Sequence, residues 1–156
     1  MTPHGSIRTP TLLLAALLTT VVAWLGLRWL APGGHVPSPG WVGLVAMLFL
    51  AGGLLVAGWQ VKKVRDGGGD GRLTPLRAAR TLVLGQAAAL TGAVLVGWYA
   101  ANLLVLLPDS DVESQRTRAV LFAVHVLVAG GLSAAGMVVQ WWCRIRPRDE
   151  DDETEA

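Results

Sequence analysis

Polar side chains inside long apolar stretches are the residues of this sequence that could do chemistry. His125 lies within an apolar stretch that covers residues 119–142. A histidine inside a membrane can carry a proton or bind a ligand, and such a residue is a functional candidate by default. No Asp or Glu lies inside the apolar stretches, so His125 has no carboxylate partner for a proton relay. We therefore favour a helix–helix hydrogen bond for His125 over a catalytic role.

Thr91, Trp98 and Asn102 form a second candidate set. Their spacings of seven and four residues place them on one face of a helix. Such a face could line a polar crevice, or it could hydrogen-bond to a neighbouring helix, and we favour packing. Arg77 and Arg80 lie one helical turn apart at the start of the same stretch and could hold a lipid phosphate or an acidic partner. The simpler interpretation is that these two arginines only anchor the helix at the membrane surface.

Other kinds of chemistry have no motif in this sequence. Cys143 is the single cysteine, which excludes an internal disulfide, and no Cys/His spacing resembles a metal site. We find no nucleophile–base pair, phosphate loop or cofactor fingerprint, and no basic block with interleaved aromatic residues for nucleic acid. We therefore expect no catalytic residues, no cofactor, no metal, no nucleic-acid partner and no enzymatic activity.

The composition is typical of an integral membrane protein. Apolar residues make up 53% of the 156 residues, and only 15% are charged, against about a quarter in soluble domains. Crossing a bilayer core of about 30 Å takes roughly 20 apolar residues in a helix. The chain is therefore predicted to be all-α, a four-helix transmembrane bundle whose sequence neighbours are antiparallel because the loops are short. The predicted spans are residues 11–30, 41–61, 78–107 and 119–142, within one transmembrane domain of residues 11–142.

The basic residues predict the orientation. Cytoplasmic loops carry the excess of Lys and Arg, and a cytoplasmic N-terminus places ten of the 13 basic residues inside. Both termini are then cytoplasmic: residues 1–10, and an acidic, disordered tail of residues 143–156. We expect a bacterial plasma membrane. The ten inside residues are Arg8, Lys62, Lys63, Arg65, Arg72, Arg77, Arg80, Arg144, Arg146 and Arg148, and the three outside are Arg28, Arg116 and Arg118. Tryptophans also lie near the predicted interfaces, namely Trp29, Trp41, Trp59, Trp141 and Trp142.

Small residues recur within the spans. The pattern Gly-Gly-Leu-x-x-Ala-Gly occurs at residues 52–58 and again at 130–136, which would fit a duplicated hairpin or chance within a restricted alphabet. Pairs of small residues four apart let helix backbones approach closely within a bilayer. We expect these pairs to pack one chain rather than to form a dimer face. The pairs are Gly53/Ala57, Ala88/Gly92, Ala93/Gly97 and Gly131/Ala135.

The region from Leu73 to Arg146 resembles a known family. Its most specific part is Pro75-Leu76-x-x-Ala79-Arg80-Thr81, and the resemblance continues through Gly97-Trp98-Tyr99 to the closing Val139-Gln140-Trp141-Trp142-Cys143-Arg144. The family comprises small actinobacterial membrane proteins and is known as domain of unknown function 3180. The resemblance implies four spans and a plasma-membrane location. Its members are often encoded near genes of folate biosynthesis, and it supplies no established activity or site residues.

Two functions compete on this sequence. The first is a non-enzymatic scaffold or accessory subunit that acts through membrane lipids and through a protein partner or self-association. The second is a small oligomeric transporter or pore, since four helices alone rarely enclose a path. An enzyme ranks third because catalytic sites gather titratable groups, and no such group of residues is visible here.

Overall fold

The structure is a computed structural model that describes residues 9–30, 39–65, 75–107 and 113–143. These ranges form four helices: α1 (Thr9–Leu30), α2 (Trp41–Arg65), α3 (Pro75–Leu106) and α4 (Glu113–Cys143). Each is long and apolar enough to cross a membrane. The prediction of four membrane-length helices is confirmed for the part of the chain that the structure describes.

All four helices extend beyond their predicted spans, and α2 and α4 extend the furthest. α2 ends at Arg65 rather than at residue 61, and α4 begins at Glu113 rather than at residue 119. The added residues are mostly Lys, Arg, Glu, Gln and Ser, which leave the hydrophobic stretch but include several good helix formers. Both helices therefore continue through polar residues after their apolar parts end. Of the predicted termini, the structure describes Thr9, Pro10 and Cys143, and the rest lies outside the described residues. Most residues of the predicted loops also lie outside the described residues.

The α3–α4 pair is the centre of the packing. These two helices share the most extensive contact, α1 packs on α3, and α2 packs on α4 while also touching α3. The predicted repeat consists of the hairpins α1–α2 and α3–α4. These two hairpins are packed differently, because α3 packs on α4 whereas α1 packs mainly on α3 rather than on α2. The repeat stays a prediction.

The core consists of small separate clusters rather than one large centre. Leu54 of α2 packs with Ala135 and Val139 of α4, and Leu106 of α3 packs with Phe122 of α4. Large apolar side chains cover the outer faces of all four helices and are exposed. Such an exterior would be unfavourable in water, and it suits contact with lipid.

Candidate functional site

Glycines bring α3 and α4 into backbone contact. A Cβ atom on Gly92 would lie 2.6 Å from the backbone nitrogen of Ser133 and 2.9 Å from the carbonyl oxygen of Ala129. A Cβ atom on Gly136 would lie 2.6 Å from the backbone nitrogen of Ala89. No larger side chain fits at either position unless the backbones separate.

Ser133 adds a hydrogen bond between the same two helices. Its Oγ donates to the carbonyl oxygen of Ala89 at 2.9 Å, and the bond is buried. Hydrogen bonds between membrane helices contribute about 0.6 kcal/mol on average. Ser133 therefore reinforces a contact whose main component is the close approach of the backbones.

The α3–α4 packing places His125 against Tyr99. The two rings are 4.9 Å apart between centroids and inclined at 49°. Phe122 of α4 also lies near Tyr99, with ring centroids 6.3 Å apart. A Cβ atom on Gly43 would lie 4.0 Å from the Tyr99 hydroxyl oxygen, so the start of α2 borders this aromatic group.

His125 is 1% exposed, and its hydrogen bond stays within its own helix. The Nδ1 atom lies 2.8 Å from the carbonyl oxygen of Leu121. Since a carbonyl oxygen only accepts, Nδ1 is the donor of this bond. Nε2 has no hydrogen-bond partner among the described residues. From the sequence, a hydrogen bond between helices was favoured for His125. In the structure, His125 contacts α3 through its ring, which lies against Tyr99.

The predicted face on α3 is divided between two environments. Asn102 is buried, and its Nδ2 donates to the carbonyl oxygen of Trp98 at 2.7 Å. Thr91 and the Trp98 side chain are exposed. Asn102 is therefore engaged with its own helix, while Thr91 and Trp98 face the exterior of the chain. Whether these residues form a functional face stays a prediction.

The two predicted phosphate-binding arginines are only partly described. Arg80 is exposed near the start of α3. Arg77 lies in α3, and its side chain is outside the described residues. In the four described ranges, no three His, Cys, Asp or Glu residues come close enough to hold a metal ion.

A cluster of Lys62, Trp59 and Trp142 was missed at the sequence level. The Lys62 Nζ atom lies 5.5 Å from the centroid of the Trp142 ring, and Trp59 meets the same ring edge-on at 6.2 Å. Gly58 creates the space, because a Cβ there would lie 2.7 Å from Val139 Cγ2 and 3.2 Å from Trp142 Cε3. From the sequence, both tryptophans were expected near the membrane interface. The residue spacing within α2 and α4 does not predict that they contact each other.

The α3–α4 contact was also only partly anticipated. Of its glycines, Gly92 stood in a predicted small-residue pair, whereas Gly85 and Gly136 did not. Ala129, Ser133 and Gly136 follow at spacings of four and three, which is a helical stripe of small residues. This stripe is the sequence signal from which the α3–α4 contact could have been predicted.

A comparison of the sequence with known protein families finds a match. The family described as "Protein of unknown function (DUF3180)" matches residues 12–147, a range that begins in α1 and runs past the end of α4. Neither the curated proteins nor the solved structures contain a match. The match covers most of the 156 residues, so the chain belongs to the DUF3180 family.

Proposed function

We propose that this protein is a non-enzymatic scaffold or accessory subunit of a bacterial plasma membrane. In this proposal four antiparallel crossings leave both termini in the cytoplasm. The order of contacts supports the antiparallel arrangement of one pair, since Gly85 lies against Val139 while Tyr99 lies against His125. Residue numbers therefore rise along α3 as they fall along α4.

The uncovered face of α2 is the observation that carries the proposal. Gly52 and Gly53 have open space around them, whereas Gly85, Gly92 and Gly136 are in close contact within the chain. Exposed glycines in a membrane helix allow a partner helix to approach its backbone. Phe49 lies one turn before Gly53 and is 80% exposed, so it offers a large side chain beside a small one. This combination favours docking of another transmembrane helix.

The polar side chains of the core support a structural rather than a catalytic role. Ser133 bonds to α3, and Asn102 bonds to its own helix. His125 likewise uses Nδ1 within α4. These hydrogen bonds hold helices and rotamers in place, which is the use expected of polar residues inside a packed bundle.

Site-specific photocrosslinking tests this proposal. A photoreactive amino acid at Phe49 is expected to form a protein adduct in intact membranes. The matched control is the same group at Met47, which is buried on the same helix and is expected to react only within the chain. Gly53→Leu should abolish the adduct from position 49, while Gly26→Leu, at an open position on α1, should not. Lipid adducts alone at position 49 would contradict a partner on this face.

An oligomeric transporter or pore is the second candidate. Thr91 favours it, because this hydroxyl side chain is exposed near the middle of α3. Several copies could direct Thr91 and Trp98 toward a shared path. The same photoreactive group placed at Trp98 tests this candidate, because an oligomeric transporter of this kind requires the adduct from position 98 to be a second copy of the chain.

A further inference from the structure

We infer that Lys62, held over Trp142, forms a binding site for the headgroup phosphate of an anionic phospholipid. This inference rests on the membrane location proposed above. It adds a ligand class and a site to that location, and the site is distinct from the predicted arginine pair on α3.

The cluster has a geometry that suits a phosphate. Lys62 is half-buried, and its ammonium group lies 5.5 Å from the centre of the Trp142 ring. A lysine ammonium is attracted to the face of a tryptophan, and it has three donors that can turn toward other acceptors. The ring restricts the position of the ammonium group without satisfying its N–H donors. Lys62 is therefore partly pre-organised for an external oxygen ligand.

The tryptophans around Lys62 favour the membrane depth at which headgroup phosphates lie. Trp59 packs edge-on against Trp142 and is exposed, and Trp141 is exposed beside it. Tryptophan favours the membrane–water interface, where one part of the indole is apolar and the other is wet. This position places Lys62 at the headgroup level. The site joins α2 to α4, so a lipid bound here would contact two helices at once.

Among the described residues, the charge at this end of the bundle is positive. Lys63 follows Lys62, and Arg80 lies at the same end because Gly85, five residues later on α3, contacts Val139 of α4. Glu113 is the single carboxylate residue in the described ranges, and it begins α4 at the opposite end. A basic position between transmembrane helices at the headgroup level is a known type of site for anionic lipid headgroups.

A second cation–aromatic pair in the chain provides a contrast. The Arg28 guanidinium lies 5.4 Å from the centre of the Trp24 ring, but both residues belong to α1 and are four positions apart. That pair joins no two helices. Arg28→Gln therefore serves as a control for loss of a cation–π contact at the other end of the bundle.

Native mass spectrometry of the purified full chain tests the inference. The delipidated protein is titrated with phosphatidylglycerol or phosphatidylcholine, and the retained lipid is counted. We expect preferential retention of phosphatidylglycerol. Lys62→Gln should lower that retention about fivefold, the loss expected for one lysine in contact with an anionic headgroup. Lys62→Arg should retain it, while Lys63→Gln and Arg28→Gln should change it less than twofold. A thermal melt of each variant shows whether the chain is still folded.

Several results would overturn the inference. One is equal loss from Lys62→Gln and Lys63→Gln, because general surface charge would then account for binding. Another is a wild-type protein that retains both lipids equally. Displacement of phosphatidylglycerol by millimolar inorganic phosphate would assign the site to a free anion instead. Asp66 follows Lys62 by four residues in the sequence, so a large gain in retention for Asp66→Asn would show that Lys62 is neutralised within the chain.

Failure of this site is distinguishable from failure of the membrane proposal. A chain that does not insert would sediment away from membranes and would not yield a folded detergent-solubilised protein. A chain that inserts and melts normally but shows no dependence on Lys62 would leave the membrane location intact and remove the lipid site.

Discussion

Gly97 of α3 lies directly against the carbonyl oxygen of Ala16 in α1. A Cβ atom on Gly97 would clash with that oxygen and would lie 3.0 Å from the backbone nitrogen of Thr20. Thr20 also donates its hydroxyl to the carbonyl of Ala16 at 2.8 Å. The absence of a side chain at Gly97 therefore allows α1 to dock closely on α3.

Gly97→Ala should destabilise the protein by about 1–3 kcal/mol, the usual range for overpacking a close contact. The atoms that a new methyl group meets belong to the backbone, so α1 must move away as a whole. Thermal unfolding in detergent, followed by circular dichroism, measures the change. Gly26→Ala is the control, since position 26 on α1 has open space. Equal stabilities of the two variants would contradict the close α1–α3 contact.

Gly92→Ala tests the α3–α4 contact in the same way. The added methyl group would meet Ser133 and Ala129 backbone atoms at less than 3 Å, and we expect a loss of about 1–3 kcal/mol. Gly131→Ala, on α4 with open space around it, should be neutral or slightly stabilising because alanine favours helices. Unfolding in a detergent titration gives both values. A destabilising Gly131→Ala would show that the open face of α4 is covered by something else.

Ser133→Ala should cost about 0.6 kcal/mol and no more than roughly 1.7 kcal/mol, the range of hydrogen bonds between membrane helices. The variant removes the donor to Ala89 but leaves the backbone contact unchanged. The double variant with Gly92→Ala should be less destabilised than the sum of the single variants, because both changes affect one contact. Additive losses would mean that the serine bond and the glycine contact act independently.

These contacts show how far the sequence alone could lead. Hydrophobic length predicted four helices, because a bilayer needs about 20 apolar residues per crossing whatever the neighbours are. It did not predict that α4 begins at Glu113, since polar helix formers extend a helix without an apolar signal. The partners of each helix were also not predictable. Gly53 and Gly92 stand in similar small-residue pairs, yet only Gly92 is packed, and that difference depends on three-dimensional arrangement.

The polar residues show the same limit. Asn102 and Thr91 share a predicted helix face, but Asn102 is buried and Thr91 is exposed. Helical periodicity assigns a direction to each side chain and does not say which direction holds a neighbour. The Lys62–Trp142 contact joins residues eighty positions apart, and no local pattern encodes such a distance. The sequence identified His125 as a polar residue within an apolar stretch, while its contact with Tyr99 required the structure.

His125→Phe should leave the stability unchanged or raise it. The Nε2 atom is buried without a partner among the described residues, and an apolar ring of similar size removes that unsatisfied group. The new ring would still contact Tyr99. His125→Ala is the comparison, and it should cost about 2–4 kcal/mol through the cavity that it leaves. A strong loss of stability in His125→Phe would reveal a ligand or partner on Nε2, and His125 would then return as a functional candidate.

The orientation of the chain can be tested with three single cysteines. Cys143→Ser provides the background, and cysteines are placed at Ser38, Gly69 and Ser110, one between each pair of successive helices. An impermeant thiol reagent applied to intact cells should label positions 38 and 110 and leave position 69 unlabelled. The reason is that ten of thirteen basic residues lie on the side of position 69 when the N-terminus is cytoplasmic.

Each other labelling pattern has a defined meaning. Labelling at position 69 alone would reverse the orientation and leave four crossings in place. Labelling at positions 38 and 69 together would show that α2 does not cross. Permeabilised cells provide the control, because all three cysteines should then react. A position that stays unlabelled after permeabilisation is buried, and neighbouring residues in the same segment must replace it before the orientation is assigned.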